Sequence, residues 1–205
     1  MILENARVFL VDDDPFQLHL LGGILRTAGH RVEAFERPEV LLGHLTEKDR
    51  GCIVLDLQMP GLNGLGLQAA LGERAVLLPL VFVSGQSDVP AAVAAMKRGA
   101  LDFLAKPVDP AELRAVVARA LARDREAAAE GAARTEAQER WRALSAREQD
   151  VCRLCVRGML NKQIAAMLHI TESTVQAQRA RALRKLHVST AAEAARLLAQ
   201  TGTEA

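Results

Sequence analysis

Val8-Phe9-Leu10-Val11 runs straight into Asp12-Asp13-Asp14, and Cys52-Ile53-Val54-Leu55 runs into Asp56. Further on, Val81-Phe82-Val83 meets Ser84, and Phe103-Leu104-Ala105 meets Lys106. Short continuous apolar runs, each followed by a turn and a helical pattern, read as parallel strands buried on both faces. In an open α/β sheet the carboxyl ends of such strands share one edge, and ligands sit in the crevice there. An acidic cluster, a single Asp, a hydroxyl and an amine are therefore expected to converge at one place. All four are residue types suited to phosphate chemistry.

Working outward from these runs, helical patterns fill the gaps. Leu18, Leu21, Ile24 and Leu25 recur at helical spacing between Phe16 and Ala28, and Gly29 ends the pattern. A short strand is predicted over 31–35, and helices over 39–45, 65–71 and 89–98. Asp109-Pro110 opens a fifth helix with Pro at its first position. Five β-α units predict a doubly wound, five-stranded parallel sheet of flavodoxin-like type.

Residues 123–142 are rich in Ala, Glu and Arg, with few large apolar side chains. A heptad seam fails there, because Ala128, Gly131 and Ala132 would have to fill positions that want Leu or Ile. The segment reads as a linker, either an extended solvated helix or a loose tether. From Leu144 a second, smaller, all-α unit begins. Ser145-Ala146-Arg147-Glu148 and Thr190-Ala191-Ala192-Glu193 have the form of capping boxes. Asn161 is expected to cap a short helix ending at Leu168, and Thr171 a longer, basic one running to about Leu186. Two helices joined by His169-Ile170-Thr171 read as helix-turn-helix. The expected domains are thus 1–122, a helical linker over 123–142, and 143–205.

Charge supports this division. Residues 1–125 hold 14 Lys and Arg against 16 Asp and Glu, whereas residues 143–205 hold 9 against 5. A basic second half suits nucleic acid. The apolar runs are too short for a membrane helix, which needs about 20 residues, and Met1-Ile2-Leu3-Glu4 lacks the build of a secretory signal. Three cysteines fit a reducing, cytoplasmic setting. Cys152 and Cys155 form a C-x-x-C inside a helical pattern without a second pair, so they are read as core packing. The five histidines join no cluster and receive no catalytic role.

Taken in order, these motifs resemble a known pair of modules. Val11-Asp12-Asp13, Leu55-Asp56-x-x-Met59-Pro60-Gly61-x-Asn63-Gly64, Ser84-Gly85 and Lys106-Pro107 resemble a bacterial receiver domain. Leu144-Ser145-x-Arg147-Glu148, Asn161-Lys162-x-Ile164-Ala165, Thr174-Val175 and Leu183-Arg184-Lys185-Leu186 resemble a LuxR-type helix-turn-helix. Together they are similar to two-component response regulators of the NarL/FixJ family. The resemblance implies that Asp56 accepts a phosphoryl group from a sensor histidine kinase, with Mg²⁺ as cofactor. Asp13, Asp56 and the backbone carbonyl of Gln58 would be direct ligands, with Asp12 acting through water. Lys106 would pair with a phosphate oxygen, and its bond to Pro107 would be cis. Asp14 is expected to be a helix-entry residue and not a ligand.

The switch follows from the same resemblance. A phosphoryl group on Asp56 brings about two negative charges and three acceptor oxygens beside Ser84. Ser84 would donate to it, vacating space for Phe103. The face remodelled in the family dimerises, and Val93, Met96 and Lys97 are its candidates here. In the basic helix, residues 174–187 carry four basic side chains and no acid. Thr174, Gln176, Ala177, Gln178, Arg179, Ala180, Arg181, Arg184 and Lys185 are the expected DNA-binding residues, with Lys162 on phosphate. Gln176, Ala177 and Ala180 would face base edges, and Gln can read adenine through two hydrogen bonds. The family often places basic residues at 176 and 180, so Gln and Ala imply a different or weaker base preference.

Two other functions fit parts of the sequence. Asp12-x-Asp14 after a strand suggests an aspartate-nucleophile phosphatase, but Phe16 stands where such enzymes want Thr or Val. The alternative is a DNA-binding protein whose receiver no longer takes phosphate, against which the complete Asp13, Asp56, Ser84 and Lys106 set argues. No enzymatic turnover is expected.

Overall fold

The computed structural model describes residues 6–73, 77–85 and 89–202. The amino-terminal Met1–Glu4 considered above lies outside them. Two units divide within one long helix, the first ending at Ala127 and the second beginning at Ala128.

In the first unit strands and helices alternate: β1 Arg7–Val11, α1 Pro15–Thr27, β2 Arg31–Phe35, α2 Pro38–His44, β3 Gly51–Asp56, α3 Gly64–Glu73, β4 Leu80–Ser84, α4 Val89–Lys97, β5 Asp102–Ala105 and α5 Pro110–Arg142. All neighbouring strands are parallel, in the order β2-β1-β3-β4-β5. The chain leaves β1 toward one edge and returns at β3 toward the other. That reversal opens a crevice at the carboxyl ends of β1 and β3, where Asp12–Asp14 and Asp56 stand.

The two-residue period of a strand explains why these runs are apolar throughout. Phe9, Val11, Ile53, Leu55 and Phe82 face one core with Leu41 of α2, Leu67 of α3 and Ala95 of α4. Val8, Leu10, Cys52, Val54, Val81 and Val83 face the other, with Leu21 of α1 and Leu113 and Val117 of α5. The edge strands depart from this: β2 has exposed and half-buried positions along its length, and β5 buries only Leu104 fully. Gly64 permits a close approach at the start of α3. A Cβ there would lie 2.7 Å from the Asp56 carbonyl oxygen and 2.9 Å from the Phe82 ring.

In the second unit, α6 Ala146–Val156, α7 Asn161–Leu168, α8 Glu172–Leu186 and α9 Ala191–Thr201 pack around two small cores. Ser145 caps α6 as a full capping box with Glu148. Thr190 caps α9 through the Glu193 amide, but the Glu193 carboxylate reaches the Ser189 amide instead of closing the box. The sequence expectation for α7 needs correction. Its N-cap is Leu160, whose amide is accepted by Gln163, and Asn161 is the first helical residue. His169, in the left-handed conformation, ends α7, and Thr171 caps α8. The stretch read as a linker is helical throughout. Its Ala137 and Trp141 are buried in the second unit's core with Cys152, Leu186 and Leu198.

Candidate functional site

The aligned strand ends bring the acidic residues together. One carboxylate oxygen from each of Asp12, Asp13 and Asp56 lies within 4.8 Å of the others. Asp12 and Asp56 are buried and Asp13 is exposed, so the cluster opens to solvent on one side. Asp12 is fixed by the Asp14 amide, which donates to its Oδ1 at 2.9 Å. Asp14 turns its own carboxylate to the Phe16 amide and caps α1. It is a helix-entry residue, as its sequence position suggested.

Lys106 completes the group. Its Nζ lies 2.9 Å from Asp12 Oδ2 and 3.4 Å from Asp56 Oδ2. The Lys106 amide donates to the Ser84 carbonyl at 2.7 Å, which ties the end of β5 to the end of β4. The Lys106–Pro107 bond is cis. Burial raises the Asp56 carboxyl above its ordinary range, and the Asp12 charge adds to this, while Lys106 and the Gln58 amide pull it down. Burial alone would lower the Lys106 ammonium, but Asp12 and Asp56 outweigh it and hold it above the ordinary lysine value.

Ser84, fully buried, ends β4 one residue beyond the Asp56–Val83 pairing. Gln58 is exposed in the loop after β3. Phe103 pairs in register with Phe82 and is half-buried against the α2-α3-α4 core. Val93 and Met96 of α4 are exposed apolar residues. Oxygen donors suit a hard divalent cation, which takes carboxylates, carbonyls and water. Three carboxylates and an exposed carbonyl-bearing loop meet that requirement.

The second unit presents α8. Val175, Ala182 and Leu186 face inward, and Gln176, Ala177, Ala180, Arg181 and Arg184 are exposed. Lys162 is exposed on α7. Gln178 and Arg179 are half-buried. Thr174 takes part in the cap of α8, with its hydroxyl 2.8 Å from that of Thr171. Lys185 is exposed as well, but its ammonium turns inward. Its ammonium lies 2.7 Å from the buried carboxylate of Glu148 and 3.2 Å from the Ala143 carbonyl. Lys185 and the Ser145 amide hold Glu148 below the usual carboxylate range.

Sequence reasoning passed over several such ties. Arg147 donates to the Leu168 carbonyl at the end of α7, and the Arg153 guanidinium lies 5.2 Å from the Trp141 ring centroid, within cation–π range. Only the single tryptophan of the chain could have signalled this packing. The cysteines behave as packing residues. Burial pushes the Cys52 thiol up to about 12 and the Cys152 thiol up to about 11.

Comparison with known proteins gives matches to both units. The family model for the response regulator receiver domain matches residues 8–118, and that for bacterial regulatory proteins of the luxR family matches residues 142–198. The chain is 37% identical over 182 residues to the response regulator protein TodT of Pseudomonas putida, covering 89% of this chain and 80% of that protein. It is 37% identical over 199 residues to the transcriptional regulatory protein FixJ of Azorhizobium caulinodans, covering 97% and 94%. Among solved structures it resembles the response regulator StyR, with a TM-score of 0.87 at 36% identity, covering 96% of this chain and 99% of that one.

Proposed function

The chain belongs to the two-component response regulators that join a receiver domain to a LuxR-type helix-turn-helix, and on that premise we propose that it is switched by phosphorylation of Asp56. The observation that carries this reading is the convergence of Asp12, Asp13 and Asp56 with Lys106 3.4 Å from the proposed acceptor. A sensor histidine kinase supplies the phosphoryl group. The N–P bond of its phosphohistidine breaks as an Asp56 carboxylate oxygen bonds to phosphorus, and the imidazole leaves with the electron pair.

In this reading Asp13, Asp56 and the Gln58 carbonyl would hold Mg²⁺ directly, with Asp12 acting through water. When bound, Mg²⁺ supplies the positive charge that lets an anionic carboxylate approach an anionic phosphate. Lys106 pairs with a phosphoryl oxygen, leaving Asp12 and Asp56 to the cation. Ser84 donates to another oxygen, and Phe103 follows into the vacated space. The exposed Val93, Met96 and Lys97 of α4 then contribute to a homodimer face. Dimers place two α8 helices on double-stranded DNA in the cytoplasm, and the receiver performs no turnover beyond this transfer.

In DNA binding, Gln176, Ala177 and Ala180 face base edges, whereas Lys162, Arg181 and Arg184 contact phosphates. Gln178 and Arg179 flank them, and Thr174 steadies the start of the helix. Among the described residues no helix is long and apolar enough to cross a membrane.

Labelling by acetyl phosphate with Mg²⁺ tests the acceptor. The wild-type chain gains one phosphoryl group, and Asp56→Asn gains none. Labelling that survives the substitution would refute the assignment, and an unlabelled wild type would favour the phosphorylation-independent alternative.

A further inference from the structure

α4 is held to the receiver differently from its neighbours. α1 buries Leu18, Leu21 and Leu25, and α3 buries Leu67 and Leu71. Among the described side chains of α4 only Ala95 is buried, with Ala91 half-buried against the same core. An alanine brings a single methyl where a leucine brings a branched chain, so little apolar area fixes this helix. Its larger apolar side chains, Val93 and Met96, are exposed.

Polar contacts are gathered instead at its carboxyl end. Gln68 of α3 is 7% exposed, and its Nε2 donates to the Ala95 and Arg98 carbonyls at 3.3 and 3.2 Å. Those two carbonyls fix the amide's orientation, because a flipped amide would press oxygen against oxygen. In return the Arg98 guanidinium reaches back to α3 and donates to the Leu65 carbonyl at 3.5 Å. Each helix thus lends a side chain to the other's backbone. Gln68 Oε1 is buried without a hydrogen-bond partner, and such an acceptor offsets much of what the two donated bonds contribute. An apolar side chain of the same size would fill this place without that loss, so the amide's distinctive effect is to fix position.

We propose that the clasp between Gln68 and Arg98 is the pivot of α4 in the switch. Gln68 is a positioning residue that keeps the carboxyl end of α4 against α3, while the rest of the helix, seated on alanines, moves. The inference rests on the phosphorylation reading and adds to it the point about which the helix turns. With that end held, a pull on Ser84 becomes a directed displacement of Val93 and Met96 toward a second copy. Without it the same pull loosens the whole helix.

The test compares the full-length wild type with Gln68→Leu and Arg98→Gln, with and without beryllofluoride and Mg²⁺. Acetyl phosphate should label all three equally, since neither residue touches the acceptor; an unlabelled wild type would refute the phosphorylation reading itself. In wild-type nuclear magnetic resonance spectra the mimic should shift the Val93 amide and leave the Gln68 side-chain amide in place. Gln68→Leu should speed exchange of the Arg98, Gly99 and Ala100 amides about tenfold without the mimic, the worth of one hydrogen bond. It should also weaken mimic-induced dimerisation, by about the same tenfold factor. Arg98→Gln, on the surface, should act in the same direction even where Gln68→Leu fails to fold. A merely structural Gln68 would lower the receiver's unfolding midpoint and leave the dimerisation constant at its wild-type value. That result, a Gln68 signal that moves as far as that of Val93, or unaltered exchange in both variants would overturn the proposal. The exchange measurement needs no phosphoryl group, so it judges the clasp whatever becomes of Asp56.

Discussion

Lys185 shows how far a residue's type falls short of fixing its role. Its place in a basic helix marks it for phosphate, yet its ammonium is held by Glu148 and the Ala143 carbonyl. Removing it leaves Glu148, whose side chain is 5% exposed, without its cation. Lys185→Met is therefore expected to destabilise the second unit by about 1–3 kcal/mol in denaturant unfolding, while the salt dependence of DNA binding keeps its slope. Arg184→Gln should do the reverse, lowering that slope by about one with little effect on stability. Glu148 also sets an acid limit. Its carboxyl is held below the ordinary range, first by Lys185. Its contribution is thus complete above the unfolded value of about 4.3 and is lost as pH falls through the lower folded value. Glu148→Gln should flatten the loss of stability between pH 5 and 3, a window of order one unit either side of that value; an unchanged acid limb would remove Glu148 from the account.

At the scale of elements, the strands were the most readable part of the sequence. The central strands are apolar through their middles because both faces are buried, and β2 has the same limits in the structure as in the sequence reading. The other four extend by one or two residues at their ends, through Arg7, Gly51, Asp56, Leu80, Ser84 and Asp102, which no apolar run marks except at Leu80. The carboxyl-end logic also made Asp12, Asp13, Asp56 and Lys106 legible as one cluster. The long helix α5 was harder. Its second half lacks a repeating apolar stripe, since only Ala137 and Trp141, four residues apart, enter the second unit's core. Two positions make no detectable period. The N-cap of α7 was misplaced for a related reason: Asn161 is a favoured cap type, but the Gln163 side chain accepts the Leu160 amide and starts the helix one residue earlier. Trp141→Ala should cost the second unit about 3–5 kcal/mol, seen by calorimetry as a fall in that unit's transition. A fragment beginning at residue 143 should be destabilised in the same way, and full stability in such a fragment would deny the helix its place in this core.

For the whole molecule, the proposed division of labour is an acidic receiver that gains charge and a basic helix-turn-helix that meets DNA. The coupling between them was not legible, because periodicity and motif spacing report each unit's own packing and carry no signal for an equilibrium between states. The most direct test measures solution mass and DNA affinity together, with and without beryllofluoride and Mg²⁺ as a stable mimic of the phosphoryl group. The wild type should pass from monomer to dimer and bind DNA more tightly when the mimic is added, and Asp56→Asn should respond in neither respect. Equal mass and equal affinity in the wild type under both conditions would contradict phosphorylation of Asp56 as the switch.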